Sequence, residues 1–402
     1  YNWYDTQNLR VLSPRYISTV DSGNLAGHLL TLRQGFLAIP GQRIVDPKTF
    51  RGLEDTLRVT IDAIPVSETE LRESLRLLYN SINTNDFRLT GLKDHLTTLL
   101  TQYRKIIFSA VNKSTHHDID WIQTFEKQLE FILQEIVQST PWINTFAIPL
   151  KYQEWSAIHT TPTLAELANM DRKIKPELSR LQGMENSEEE NHWLYYFEQS
   201  VNQASKYARE RMTSLETLAS QCYDFADMEY DFLYDKSQHL LSIGYTVDEH
   251  HRDPGYYDLL ASEARLGLFV AIAQGKLPQE SWFVLGRRLT TAGNTPVLLS
   301  WSGSMFEYLM PGLIMPTYEN TLLDEMCTGT VKSQIEYGEL HGVPWGISES
   351  CYNLVDAHLT YQYRAFGIPG LGFKRGLAQD LVIAPYASVL ALMVDPKAAC
   401  AN

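Results

Sequence analysis

Apolar residues recur at steps of three and four along the N-terminal two-thirds of the chain, which is the spacing of amphipathic α-helices. The stretch "DSGNLAGHLLTLRQGFLAI" begins with two candidate N-cap residues, Asp21 and Ser22. Four of its apolar positions fall on one helix face: Leu25, Leu29, Leu32 and Phe36. The pattern returns in "LKDHLTTLLTQYRKIIFSAV", "WIQTFEKQLEFILQEIV" and "SEEENHWLYYFEQSVNQASKYARERMTSLETLASQ". Because no series of alternating strands is evident, the pattern predicts an all-α protein.

From about Tyr245 the helical stretches become shorter and are joined by loops rich in glycine, proline and aromatic residues. These loops include "DEHHRDPGYY", "LLSWSGSMFEYLMP", "HGVPWGISESCYN" and "YQYRAFGIPGLGFKRG". Long loops on a helical scaffold are where binding residues concentrate. The change is compatible with a domain boundary or with two halves of one closed helical array. We favour the second interpretation, a single domain over residues 1–402.

The charge of the chain narrows the choice of partners. Its 402 residues carry a net charge of −14, from 48 acidic and 34 basic residues. No basic cluster could follow a phosphate backbone, so no nucleic acid is expected as a partner, whereas a neutral sugar polymer is compatible. No apolar run reaches the ~20 residues of a membrane span, and the best candidate, "LVIAPYASVLALMV", contains Pro385. The start at Tyr1 without methionine indicates a piece of a longer protein.

Glu263 is a carboxylate inside an apolar stripe. In "GYYDLLASEARLGLFVAIAQG" the stripe runs at helical steps through Leu259, Glu263, Leu266, Val270 and Ala273. Burial would raise the pKa of this carboxyl toward the range of a general acid. A buried salt bridge, for example with Arg265, would explain the same position without any chemistry.

Glu349, in "HGVPWGISESCYN", has the opposite surroundings. Ser348 and Ser350 flank it and could hydrogen-bond its carboxylate and hold it ionised, while Trp345 and Tyr352 could form an apolar wall or a platform for a sugar ring. The alternative is a carboxylate that anchors its loop by accepting backbone N–H bonds. Two isolated glutamates, one in an apolar and one in a polar environment, are what an acid and a nucleophile or base require.

The remaining motifs carry less chemistry. Ser304 and Glu307 have the S-x-x-E spacing of a capping box, which explains Glu307 as a helix-capping residue. Trp301, just before that box, is a better candidate for a sugar-stacking ring. The adjacent histidines of "EHHRD" and the four scattered cysteines give no convincing ligand set, so neither a metal nor an organic cofactor is implied.

Several long segments carry a family resemblance. "RYISTVDSGNLAGHLLTLRQG", "FLYDKSQHLLSIGY", "YYDLLASEARL", "LLSWSGSMFEYLMP", "QIEYGELHGVPWGISESCYN", "YQYRAFGIPGLGFKRGL" and "VIAPYASVLALMVDP" resemble the central, glycoamylase-like segment of bacterial cyclic β-1,2-glucan synthases. The resemblance covers nearly the whole chain, is densest over residues 221–398, and is looser from about residue 40 to residue 220.

The resemblance implies a fold, an activity and a setting. The fold would be an (α/α)6 toroid, in which helical hairpins form an inner and an outer ring around a central cleft. The activity would be retaining transglycosylation, which cuts linear β-1,2-glucan and rejoins the chain to its own non-reducing end. The neighbours in the parent chain would be glycosyltransferase and phosphorylase-like domains of an inner-membrane protein, with this segment on the cytoplasmic side.

The resemblance also implies residue roles. Glu349 would be the nucleophile that forms a glucosyl-enzyme intermediate, and Glu263 would be the general acid/base. We expect aromatic platforms at Trp301, Trp345, Tyr352, Tyr361 and Tyr363. We expect hydroxyl-binding groups at Asp21, Asn24, Asp258, Arg265, Gln362 and Arg364. For each of these platforms and binding groups the alternative is core packing or a structural pair. The competing hypotheses are an endo-β-1,2-glucanase on the same fold and a non-catalytic glucan-binding module.

Overall fold

The computed structural model describes residues 1–84, 86–111, 119–144, 147–292, 295–357 and 361–402. The α-helices of these residues are α1 (Thr19–Ala38), α2 (Pro47–Ala63), α3 (Thr69–Tyr79), α4 (Leu89–Val111), α5 (Ile119–Ser139), α6 (Ser156–His159), α7 (Leu164–Ala168), α8 (Met170–Gln182), α9 (Glu188–Ala226), α10 (Ala264–Ala273), α11 (Glu280–Val284), α12 (Met305–Leu309), α13 (Leu322–His341), α14 (Pro385–Ala391) and α15 (Pro396–Ala401). Short 3-10 helices cover Ile39–Gly41, Pro141–Asn144, Leu150–Tyr152 and Met310–Leu313. The strands are β1 (Tyr16–Ser18), β2 (Tyr234–Asp235), β3 (Leu240–Leu241), β4 (Gly244–Thr246), β5 (His251–Arg252), β6 (Leu289–Ala292), β7 (Thr295–Leu298), β8 (Glu349–Val355) and β9 (Tyr361–Ala365).

The chain divides into two compact units. One, called here the site unit, consists of Tyr1–Arg33 and Ser220–Asn402, and the other, the helical unit, of Gln34–Ala219. Both boundaries fall inside helices, after Arg33 in α1 and after Ala219 in α9, and not near Tyr245 where the loop content changes. The prediction of one catalytic domain over residues 1–402 stays a prediction.

The helical unit is held by two apolar clusters. The first joins α2, α3, α4 and α5 and contains the fully buried Leu53, Leu96 and Phe125. The second joins α7, α8 and α9, where Trp193 stacks on Phe197 with ring centroids 5.1 Å apart. Each of these side chains contributes about 1.5–3 kcal/mol by leaving water. The predicted amphipathic stretches correspond to α1, α4, α5 and α9, so the helix-rich prediction is confirmed.

The site unit mixes short helices with small antiparallel sheets. β1 pairs with β4, and β4 with β5, so the N-terminal segment is tied to the region after residue 240. β2–β3, β6–β7 and β8–β9 form two-stranded sheets. The chain is mostly helical, as predicted, and this unit adds these small sheets to its helices. Its strands have two to seven residues, and most are too short to show an alternating pattern. The toroid stays a prediction.

α1 packs in the site unit through small residues. The sequence places Leu25, Leu29, Leu32 and Phe36 on one face, but the buried residues of α1 are Thr19, Val20, Gly23, Ala26 and Gly27. A Cβ at Gly23 would lie 2.4 Å from the Cα of Gly267 in α10, so the two helix backbones touch. Only glycine allows this approach, which brings the N-terminal half of α1 against the start of α10.

The close approach gives a stability prediction. Gly23→Ala should lower the free energy of unfolding by about 1–3 kcal/mol, because the new methyl group must displace the α10 backbone. Gly35→Ala on the same helix is the matched control, because a Cβ there meets nothing within 4 Å. Urea unfolding of both variants measures the difference. Equal stability of the two variants would contradict this packing.

Candidate active site

Glu263 lies immediately before α10, at the N-cap position, and is 6% exposed. The prediction that Glu263 lies inside a helix is wrong, because Ser262 has a φ of 48° and α10 begins only at Ala264. The Ser262 hydroxyl donates to Glu263 Oε2, and Asn24 Nδ2 donates to Glu263 Oε1 at 3.3 Å. Burial raises the pKa of this carboxyl, and the bond from Ser262 opposes the rise. Glu263 is thus a buried carboxyl with a raised affinity for its proton.

Arg265 does not have either of its expected roles. Its guanidinium donates to the backbone oxygens of Glu307 at 2.7 Å and Tyr308 at 2.5 Å, near the C-terminal end of α12. The residue is 4% exposed, and burial lowers its pKa to about 10. Among the ion pairs of the described residues, none includes Glu263. Arg265 therefore braces α12, and the structure supports neither a salt bridge to Glu263 nor a hydroxyl-binding group.

Two residues of α1 extend the Glu263 side of the site. Asn24, which holds Glu263 through its Nδ2, has a buried Oδ1 without a hydrogen-bond partner among the described residues. Asp21, one turn earlier and exposed, accepts a hydrogen bond from Asn2 at 2.6 Å. The charge of Asp21 also raises the pKa of Glu263, after the larger effect of burial. An orphaned buried acceptor is costly, and a ligand hydroxyl would satisfy it.

Glu349 is the first residue of β8 and is half-buried. The hydroxyl of Tyr363, from the paired strand β9, donates to Glu349 Oε2. Tyr386 of α14 donates to the backbone oxygen of Glu349 at 2.9 Å. Burial raises the pKa of Glu349, and the bond from Tyr363 opposes this rise. The backbone and the side chain of this residue are therefore each fixed by a tyrosine.

Ser348 and Ser350 were predicted to hydrogen-bond the Glu349 carboxylate, but the structure shows other partners. Ser348 Oγ accepts from the N–H of Phe306 at 2.9 Å and lies 2.8 Å from the Tyr386 hydroxyl. Ser350 alternates to the opposite face of β8, because successive side chains of a strand point opposite ways. The donor comes from the neighbouring strand instead, across a register that pairs Cys351 with Tyr363.

The two glutamates are electrostatically coupled. After burial, the negative charges of Glu307 and Glu263 raise the pKa of Glu349, while Lys374 lowers it. Burial, followed by the charges of several carboxylates including both glutamates, raises the pKa of Tyr257 to about 12. The expected contrast between one apolar and one polar environment is therefore wrong, since the pKa is raised at both carboxyls. Both belong to one acidic site in the site unit.

Three further predicted residues keep their candidate roles. Trp301 is 60% exposed and offers a free ring, and Tyr363 is 57% exposed although its hydroxyl is engaged. Asp258 is half-buried and accepts the N–H of Leu260 at 3.0 Å, and burial raises its pKa. Exposed aromatic rings near carboxylates are typical of sugar-binding sites.

Other predicted binders lie elsewhere. Trp345 is 7% exposed within the apolar core, so it is not a platform. Tyr352 and Arg364 lie on the face of the β8–β9 hairpin opposite Glu349, where the Tyr352 hydroxyl donates to Asp380 at 2.8 Å. The corrections for Tyr352 and Arg364 both follow from strand alternation, which could not be foreseen while these segments were assigned as loops. The Tyr361 side chain lies outside the described residues. Gln362 is exposed in β9, and its role stays a prediction.

Four functional candidates were not predicted from the sequence: Tyr257, Ser262, Lys374 and Tyr386. Each lies inside a segment quoted for the family resemblance, which was the available signal. None stands out by residue type, because a tyrosine or a lysine in a loop is ordinary. Their relation to the glutamates depends on long-range contacts, such as that between Tyr386 and Glu349, 37 positions apart.

The described part of the chain has no group of three or more histidine, cysteine, aspartate or glutamate side chains that could hold a metal ion. Within the same residues, none of the helices is both long and apolar enough for a membrane crossing. The partners of the two site carboxylates are hydroxyl and amide groups, namely Ser262, Asn24 and Tyr363.

The part of the chain that carries both glutamates is similar to a known protein family. The family model described as "Glycoamylase: Putative glucoamylase" matches residues 255–402, which contain both Glu263 and Glu349. This part of the chain is similar to glycoamylase-like domains. The chain as a whole is similar to the cyclic beta-(1,2)-glucan synthase NdvB of Rhizobium meliloti (strain 1021), at 34% identity over 421 residues. The match covers 100% of this chain and 13% of that relative. The family resemblance is thus confirmed.

Proposed function

We propose that the chain is a retaining β-1,2-glucan glucanotransferase that converts linear glucan into rings. One observation carries the proposal: the buried Glu263 and the half-buried Glu349 are each held by hydroxyl or amide donors, and the charge of Glu263 reaches Glu349 and raises its pKa. Retaining glycosidases use such a pair as acid/base and nucleophile. The similarity to a cyclic beta-(1,2)-glucan synthase and to putative glucoamylases supports a glucan-processing role.

The first half of the reaction breaks the glucan. Glu263, whose protonated form is favoured because burial raises its pKa, gives its proton to the glycosidic oxygen. The Glu349 carboxylate attacks the anomeric carbon and forms a glycosyl ester. The departing fragment keeps the original reducing end. Tyr363 favours the reactive form of Glu349, since its hydrogen bond opposes the rise in the pKa of Glu349.

The second half closes the ring. Glu263, now a carboxylate, accepts the proton of a hydroxyl at the non-reducing end of the bound chain. That oxygen attacks the anomeric carbon and expels Glu349, so two displacements retain the configuration. Water must lose this competition to the sugar, which requires a well-bound acceptor. Trp301 as a ring platform and the unpartnered Asn24 Oδ1 as a hydroxyl acceptor suit that task.

The number of reducing ends tests this proposal against hydrolysis. Ring closure leaves that number unchanged, because only the departing fragment carries a reducing end, whereas hydrolysis adds one for every cut. We expect linear β-1,2-glucan to shorten without new reducing ends, and β-1,3- and β-1,4-glucans to stay intact. A rise in reducing ends would favour an endo-β-1,2-glucanase. Binding without any cleavage would favour a non-catalytic module.

Tyr363 offers a prediction on pH dependence. Tyr363→Phe removes the bond that opposes the raised pKa of Glu349, so that pKa should rise further. The acidic limb of the kcat/KM profile should move to higher pH, and activity below it should fall about 10- to 100-fold. Tyr386→Phe is the control, because Tyr386 bonds the backbone of Glu349 and not its carboxylate. Identical profiles for the two variants would contradict the role of Tyr363.

The setting of the domain is also a proposal. Because the chain spans 13% of its relative, we place it between glycosyltransferase and phosphorylase-like domains of a longer parent. That parent would be an inner-membrane protein with this domain on the cytoplasmic side, where linear β-1,2-glucan is supplied. To test this setting, the full-length parent protein would be purified and assayed for both glucan synthesis and ring formation.

A further inference from the structure

Glu307 is a buried charge whose partners exceed what helix capping needs. It is 3% exposed, and no ion pair of the described residues includes it. The capping box predicted for Ser304 and Glu307 is present. In addition, Ser300 Oγ and Ser302 Oγ donate to Glu307 Oε2 at 2.8 and 2.5 Å, and Ser302 N donates to Oε1 at 3.2 Å. The five-residue helix α12 alone does not account for three serines around one carboxylate.

The segment 300–304 that carries these serines is clamped on its other side by the loop after β9. The N–H of Ser300 donates to Leu371 O at 2.9 Å, and the N–H of Lys374 donates to Trp301 O at 2.9 Å. A Cβ on Gly367 would lie 1.8 Å from Ser302 O, so the two backbones are in direct contact. Fixing this segment therefore fixes both the exposed Trp301 ring and the loop that bears Lys374.

α12 also connects the segments that carry the two site glutamates. On one side, the N–H groups of Met305 and Phe306 donate to Ile347 O at 3.2 Å and Ser348 Oγ at 2.9 Å, directly before Glu349. On the other side, Arg265, two residues after Glu263, donates to the backbone oxygen of Glu307 at 2.7 Å. The segment around Glu307 thus lies in a continuous chain of hydrogen bonds from one glutamate segment to the other.

We propose that Glu307 is a positioning residue for the reaction: its carboxylate, held by three serines, sets segment 300–304 and thereby Glu349 and Trp301 relative to Glu263. Glu307 does not reach a substrate, because it is buried and both its oxygens are occupied. The inference rests on the proposed glucan transfer. The positioning network itself is argued from the hydrogen bonds alone, so the network and the glucan transfer can fail separately.

The charge of Glu307 supplies a readout that a purely structural role would not move. It raises the pKa of Glu349, after the effects of burial and in opposition to Tyr363. Several titratable groups surround Glu349 from the packed elements: Tyr257 and Glu263 before α10, Glu307 in α12, Tyr363 in β9, Lys374 after β9 and Tyr386 in α14. Removing the Glu307 charge leaves the others in place and should lower the pKa of Glu349.

The test uses Glu307→Gln and Ser302→Ala in the whole chain, with Glu336→Gln on the exposed part of α13 as a control. Glu307→Gln should lower kcat on linear β-1,2-glucan about 100-fold. The acidic limb of its kcat/KM profile should move to lower pH, because the pKa of Glu349 falls. Ser302→Ala, which keeps the charge and leaves the capping box intact, should lower kcat roughly tenfold. Unchanged kcat in Ser302→Ala would overturn the proposal, since capping by Ser304 would then suffice.

Amide hydrogen exchange separates this proposal from the proposed function. In both variants, residues 300–306 and 345–350 should exchange at least about tenfold faster than in the wild type, while α13 should not change. Faster exchange in these segments with no glucan turnover by the wild type would support the positioning network and reject the transferase. Unchanged exchange in segments 300–306 and 345–350 in a folded Glu307→Gln variant would overturn the network itself.

Discussion

Glu349→Gln is expected to bind linear β-1,2-glucan and to lose its turnover by about 10⁴-fold or more, as loss of a nucleophile does in other enzymes. The amide has nearly the shape of the carboxylate, and its oxygen can still accept the hydroxyl of Tyr363. It cannot form the glycosyl ester, so the first displacement fails. Binding in this variant is measured by titration calorimetry, and turnover by the loss of long chains.

The control for this variant is Glu336→Gln, a matched substitution at an exposed position of α13. It should keep full activity. If Glu349→Gln retained activity within tenfold of the wild type while Glu336→Gln was unaffected, the covalent mechanism would be rejected. A retained fold, checked by the thermal transition, is needed for the comparison.

Glu263→Gln should show a loss that depends on the leaving group. With natural glucan, whose departing oxygen needs a proton, the rate should fall by about 10²–10⁴-fold. With an aryl β-glycoside of a β-1,2-glucan oligosaccharide, formation of the glycosyl ester should be nearly unaffected, because a phenolate leaves without protonation. The burst of phenolate in single-turnover experiments measures that step. The alkaline limb of the pH profile, set by the raised pKa of Glu263, should also disappear.

The same variant tests the assignment against a structural role. A misfolded or displaced Glu263 segment would slow both substrates equally. Asn24→Ala provides the comparison, because it removes the 3.3 Å hydrogen bond to Glu263 Oε1 but keeps the carboxyl. It should weaken glucan turnover without the selective sparing of the aryl substrate.

The sequence predicted the helices well where one apolar stripe is repeated over several turns, as in α4, α5 and α9. It failed for the buried face of α1, because Gly23 and Gly267 allow a backbone contact that leaves Leu25 and Leu32 exposed. Close packing through glycines has no hydrophobic signature. A pattern of large apolar residues therefore indicates the helix but not the face that is buried.

In the candidate site, the two glutamates could be proposed from the sequence, but their hydrogen-bond partners could not. Glu263 and Glu349 stand out as isolated carboxylates among apolar and aromatic neighbours. The donor to Glu349 is Tyr363 and not a flanking serine, because β8 is a strand whose neighbours point away. Trp345, expected as a platform, lies before β8 and is buried in the apolar core. Cross-strand register and burial are properties of the assembled fold.

The masses of the products formed from long linear β-1,2-glucan distinguish ring closure from hydrolysis. The purified chain is incubated with the glucan, and the products are recorded by mass spectrometry beside Glu349→Gln and Glu263→Gln. The account predicts a series lighter by one water than linear chains of equal length, formed by the wild type and absent with both variants. A product series made only of linear chains would contradict ring closure and leave a hydrolase.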